Sequence, residues 1–223
     1  MEQLERRVLP LFPLPNLVLF PGIVLPLRIF EPRYKVLVAD VLRGDGCLGI
    51  VALRPGWEAE YERSPETYEV GCKGIILQCE EAEHGQFNIL LQGTRRFRID
   101  REVEGKVYRE AEVELLPEPS LEAGTDQGSR LRQDLVNRIS GIDSGPPLME
   151  WELIRKLVEL DESLFINAIS YLSPFNTSCK QFLLEAEGIS QRYEKYLRLT
   201  EFEPPVERIR RRACGSSGAE VIH

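Results

Sequence analysis

The run "VLPLFPLPNLVLFPGIVLPL", Val8 to Leu27, restricts the fold more than any other part of the chain. It is apolar enough to imitate a membrane span, and Arg6 and Arg7 precede it as they would a signal peptide. Pro10, Pro13, Pro15, Pro21 and Pro26 exclude a continuous helix. Each interior proline removes a backbone donor and clashes with the preceding turn, at about 3 kcal/mol. No A-x-A cleavage site follows. What remains is extended backbone: strands over Val8 to Phe12 and Leu17 to Phe20, a turn at Pro21-Gly22, and an extended "IVLPLRIF". The expectation is a soluble protein, with no membrane partner, that opens with a buried sheet.

Downstream, Val36, Leu37, Ala39, Val41 and Leu42 are spaced for a short amphipathic helix that starts at Pro32 and ends at Gly44. "GCLGIVALRP" reads as a strand and the acidic stretch after Gly56 as a loop. Two further strands, "VGCKGIILQCEEAE" and "QFNILLQGTRRFRI", flank a turn at His84-Gly85. Gly93 allows a bulge. Beyond it Phe97 and Ile99 share one face and Arg96 and Arg98 the other, the pattern of an antiparallel strand with one wet side. "KVYREAEVELL" is a last alternating strand, counting Val107, Ala111, Val113 and Leu115 as its apolar side.

After Pro117 and Pro119 the pattern becomes helical. Five segments place apolar residues three and four apart, with Asp161 and Asn176 or Thr177 as N-caps. The fold class is therefore α+β. Residues 1–118 are expected to form a β-rich domain, 119–203 an α-helical bundle, and 204–223 a flexible basic tail.

At 223 residues the chain buries a core without staples. Five cysteines without a C-x-x-C pair or clustered histidine fit reduced thiols in a cytoplasmic protein, with no metal site and no cofactor. A net charge of −8 disfavours nucleic acid as a partner, although Arg95, Arg96 and Arg98 make a small basic patch. No P-loop motif exists, and "GDGCLG" lies between a helix and a strand, the reverse of a dinucleotide-binding turn. With only His84 and His223 available, a histidine-based nucleophilic site has poor candidates. Ser178 and Lys180 sit on opposite sides of a helix, so no catalytic residue is assigned.

The order "LPLFPLPNLVLFPGIVLPLRIFEPRY", "YEVGCKGIILQ", "FNILLQGTRRFRI" and "YREAEVELL", then a helical half with "KQFLLE", resembles the N-terminal substrate-recognition domain of the Lon ATP-dependent proteases. The resemblance implies a PUA-like pseudobarrel followed by a helical bundle. It also implies binding of unfolded or tagged protein segments. Because no ATPase or peptidase region follows in the sequence, it implies a stand-alone, non-catalytic module, an adaptor whose partner is a separate Lon-type protease. The alternatives are a PUA-like RNA-binding module and a small-molecule enzyme in the cleft between sheet and helices.

For contacts with a bound segment the candidates are Phe30, Glu31, Arg33 and Tyr34 of "IFEPRY", with Arg95 and Arg96. An aromatic pair, a carboxylate and a guanidinium beside a proline are the mix found where a polar anchor flanks an apolar pocket. The competing reading makes Phe30 and Tyr34 core residues with Arg33 paired to Glu31 or to a neighbouring carbonyl.

Overall fold

The first strand, β1 (Arg6–Leu14), changes neighbours partway along. Arg6 to Pro10 run antiparallel to β6 (Glu110–Leu115), and Leu11 to Leu14 run parallel to β3 (Cys47–Ala52). This geometry comes from a computed structural model that describes residues 5–60, 64–119, 126–140 and 151–202. The expected tail lies outside them.

Extended chain does not continue as a ladder after β1. Leu17–Phe20, expected as a strand, crosses irregularly to the Pro21-Gly22 turn. Val18 and Phe20 are buried against the helices, and Leu19 goes into a different cluster, against α1. Apolar residues directed to two cores mimic a strand in sequence without needing a ladder partner. The turn is tied instead to Gly93, through Gly22 N to Gly93 O (2.8 Å) and Gly93 N to Ile23 O (2.9 Å). A Cβ at Gly93 would stand 2.3 Å from the Phe20 carbonyl oxygen, so only glycine admits this approach.

Strand β2 (Val24–Ile29) precedes helix α1 (Pro32–Arg43), which has its proline in the first turn and Gly44 as its C-cap, as its sequence predicts. The buried face of α1 is Tyr34, Leu37, Val38 and Val41. Strand β4 (Val70–Ala82) and the long β5 (Gln86–Val103) form a hairpin. β5 pairs with β2 from Phe87 to Gln92, and with β6 from Phe97 to Val103. Between these stretches Gly74 opposes Gly93 and Lys73 opposes Arg95, leaving Thr94 as a bulged residue. Such a bulge bends the strand and raises its twist. That bend lets β5 leave β2 and close a ring β1-β3-β4-β5-β6, with β2 outside it at a sheet edge.

Leu9, Leu11, Val51, Phe97, Ala111, Val113 and Leu115 fill the ring. The Phe97 ring lies where a Cβ at Gly71 would approach it to 2.5 Å. Strand β6 begins at Glu110, later than its sequence pattern indicates, and Val107 sits in the preceding turn, 67% exposed.

The helices are α2 (Asp126–Ser140), α3 (Trp151–Leu157), α4 (Glu162–Leu172), α5 (Thr177–Leu184) and α6 (Ile189–Phe202). Asp161 and Asn176 cap α4 and α5 by accepting from the Leu164 and Cys179 amides, at 2.9 and 2.8 Å. Helix α6 packs against α2, α4 and α5.

One face of β5 differs from its expected character. Arg96 is not on a wet face: it is 2% exposed, because the helices cover that side of the strand. Its guanidinium donates to Glu118 and to the carbonyls of Leu184 (3.0 Å), Ala186 and Pro117 (2.9 Å). Arg192 of α6 reaches the same Glu118 and also donates to Leu183 O (3.0 Å) and Asn167. Asn167 in turn donates to Pro21 O (3.1 Å), and Gln181 to Val70 O (2.9 Å). Strands and helices are thus joined through buried polar groups as well as through apolar contact.

Candidate functional site

The "IFEPRY" segment turns the chain from β2 into α1, so its side chains stand at the end of the sheet edge. Tyr34 is 7% exposed and stacks on Phe12 of β1, with ring centroids 4.1 Å apart. Arg33 lies over the Tyr34 ring (4.6 Å to its centroid) and is held by Glu31 at 2.8 Å. Such stacking locks an otherwise long, mobile guanidinium in place. Tyr34, Arg33 and Glu31 therefore behave as the structural reading of this segment has it. Phe30 does not: it is 43% exposed, a large apolar side chain open to solvent.

Two adjoining hollows share Pro13 and Tyr34. The first, about 260 Å³, runs beside β2, bounded by Phe12 to Pro15 on one side and Pro26 to Glu31 on the other. The second, about 440 Å³, lies between Arg33 and the β5–β6 turn. That turn is fastened to α1 by Asp40, which accepts from the Tyr108 hydroxyl (2.8 Å) and Lys106 (3.2 Å). The Tyr108 hydrogen bond, helped by Lys106, holds the Asp40 carboxyl below the usual carboxylate range. Burial, with the Asp40 carboxylate beside it, pushes the Tyr108 phenol up. Arg109 anchors the turn's far side through Pro65 O (2.9 Å) and Glu102.

The first hollow's lining is informative. Leu27 and Ile29 point toward the interior cluster and Pro26 and Arg28 point outward, yet all four border it. A hollow touching both faces of one strand runs along that strand's edge. β2 is the edge strand, and its proline is characteristic of one. The site is therefore an apolar trough beside the edge of β2 that faces away from β5 and has no strand partner among the described residues.

Structure gathers Phe30, Glu31 and Tyr34 at this trough and Arg33 at the adjoining hollow, but brings neither of the other two candidates there. Arg95 is on the far part of β5, bonded to Leu116 O (3.3 Å) and paired with Glu5 (3.5 Å). Arg96 is interior. Arg98 borders a separate cleft of about 620 Å³, which Arg96 also lines, together with Arg54, Glu69, Glu185 and Glu187, so both signs of charge face it. The three arginines do not converge on one basic surface. The trough's remaining walls, Phe12 to Pro15 and Pro26 to Arg28, escaped the sequence reading, although the proline at 26 is a signal for an edge.

Cys72 is fully buried and its thiol is pushed up to about 12 by desolvation. Among the described residues no cluster of three or more His, Cys, Asp or Glu is arranged to hold a metal, and no helix is long and apolar enough to cross a membrane.

A five-strand ring with a β2 extension and six helices among the described residues defines an α+β module of pseudobarrel and helical bundle. Residues 8–201 match the ATP-dependent protease La (LON) substrate-binding domain, and the chain belongs to that family. Among curated relatives, the Lon protease of Flavobacterium johnsoniae is 26% identical over 196 residues, 87% of this chain and 24% of that protein. Lon protease 2 of Syntrophobacter fumaroxidans is 35% identical over 120 residues, 52% of this chain and 15% of its own length. The chain thus spans a quarter or less of these relatives. The fold is shared with the Lon N-terminal domain protein from Xanthomonas campestris, at TM-score 0.63 and 24% identity, covering 86% of this chain and 97% of that one. It is also shared with the N-terminal domain of Mycobacterium avium complex Lon protease, at TM-score 0.66 and 18% identity, covering 87% and 98%.

Proposed function

We propose that this protein captures extended segments of other proteins in the trough along β2, does not itself alter covalent bonds, and serves as an adaptor that presents those segments to a separate Lon-type protease. The observation that carries this reading is the position of the trough. It borders both faces of an edge strand, where an added strand would find backbone partners and apolar walls together. Membership of a substrate-binding domain family supports the same reading. So does the exposed Phe30, a rigid apolar anchor at the trough's end.

The test is fluorescence anisotropy of a labelled, reduced and unfolded polypeptide titrated with this protein, beside a labelled single-stranded RNA. Saturable polypeptide binding that weakens only slightly as salt rises is the expected result. RNA binding that falls steeply with salt, with no polypeptide bound, would transfer the chain to the nucleic-acid class. Casein incubated with the protein alone is expected to stay intact.

A further inference from the structure

Resting on that reading of the trough, we propose a substrate class for it: extended segments in which apolar residues alternate with an acidic one, the carboxylate lying against Arg28. A strand added beside β2 directs successive side chains to opposite faces. On the inner side it would meet Leu27, Ile29, Phe12 and Tyr34, which select apolar groups. On the outer side it would meet Pro26 and Arg28.

Charge decides what the outer position selects. Glu31 already holds Arg33, so that pair presents no net charge. Arg28 differs. Its guanidinium donates through Nε to a neutral side chain, Gln86, at 2.9 Å, and no carboxylate pairs with it among the described residues. In register across the sheet, Arg28 opposes Asn88, and Asn88 opposes Glu80. Glu80 lines a hollow with Arg28 on the outer face of the sheet, but it stands two strands away, about 10 Å, and is engaged by Gln78. The trough beside β2 thus carries at its outer rim one guanidinium that no carboxylate pairs with among the described residues. An acidic side chain in the adjacent strand complements it as a cross-strand pair. A basic side chain at that position would be repelled.

The probes are short labelled peptides of alternating leucine and serine, identical except that one central serine is replaced by aspartate or by lysine. The aspartate peptide is expected to bind about threefold more tightly than the serine peptide, and the lysine peptide more weakly, with the gap closing as salt rises. Arg28→Glu is expected to invert the order, and Arg28→Ala to abolish it. Arg28 is exposed on the strand's outer side, so neither change disturbs the core. Equal binding of all three peptides, or an aspartate preference that survives in Arg28→Glu, overturns the acidic preference while leaving the trough as a segment seat. Binding of none overturns that underlying reading as well.

Discussion

Two arginine–glutamate pairs in this molecule do opposite work. Arg96–Glu118 is sealed between strands and helices, with the guanidinium also bonded to the carbonyls of Leu184, Ala186 and Pro117. Arg33–Glu31 stands at the lip of the trough, half-exposed, stacked on Tyr34. A charge taken out of water must keep every partner, because losing one leaves the others desolvated and unpaired. A pair at a rim is already solvated and chiefly fixes shape. The molecule is accordingly densely bonded where strands and helices meet and open at the β2 edge.

The strongest way to break this contrast is to remove each arginine. Arg96→Met leaves Glu118 with Arg192 as its remaining partner and strips the Leu184, Ala186 and Pro117 carbonyls of a buried donor, and is expected to cost about 3–5 kcal/mol in urea denaturation. Arg33→Met is expected to cost less than about 1 kcal/mol. Similar losses in the two variants would mean that the sealed and open regions do not differ energetically.

A smaller effect sharpens the contrast from the binding side. Phe30→Ala removes an exposed ring, so stability should change by no more than about 0.5 kcal/mol, while affinity for an unfolded polypeptide falls about tenfold. Paired urea and anisotropy titrations check both halves of the statement.

The smallest effect is with acid. Hydrogen bonds from Tyr108, Arg7 and Arg101 hold Asp40, Asp45 and Glu112 below the usual carboxylate range. Unfolding releases those carboxyls to higher pKa values, so below about pH 4 the unfolded state binds more protons. Their contribution is present above that range and is lost as pH falls through the folded values. The urea midpoint should therefore drop between pH 7 and about pH 3. Reversing Asp40 to Asn should shrink that drop slightly and loosen the β5–β6 turn beside the trough.

Much of the frame was legible in the sequence because its signals are local. Prolines force extended chain at the start, Pro32 and Gly44 bound α1, and Asp161 and Asn176 cap their helices. What escaped depends on distant partners. The alternation at Arg96 and Arg98 is real, but a period says only that two faces differ, not that one is wet. The groups that take Arg96 inside, Glu118, Leu184 and Ala186, lie 22 to 90 residues away. Leu17–Phe20 misled in a related way, since apolar residues serving two cores alternate much as a strand does. Half of the candidate site was visible in "IFEPRY", a contiguous turn. Its opposite wall, Phe12 to Pro15, joins only through folding.

Hydrogen–deuterium exchange with and without a saturating unfolded polypeptide tests the central claim most directly. Capture along the sheet edge predicts slowed exchange in Val24–Ile29 and in Phe30 to Tyr34, with the helices unchanged. Slowing confined to α5 and α6, or no slowing at all while the polypeptide is bound, would contradict it.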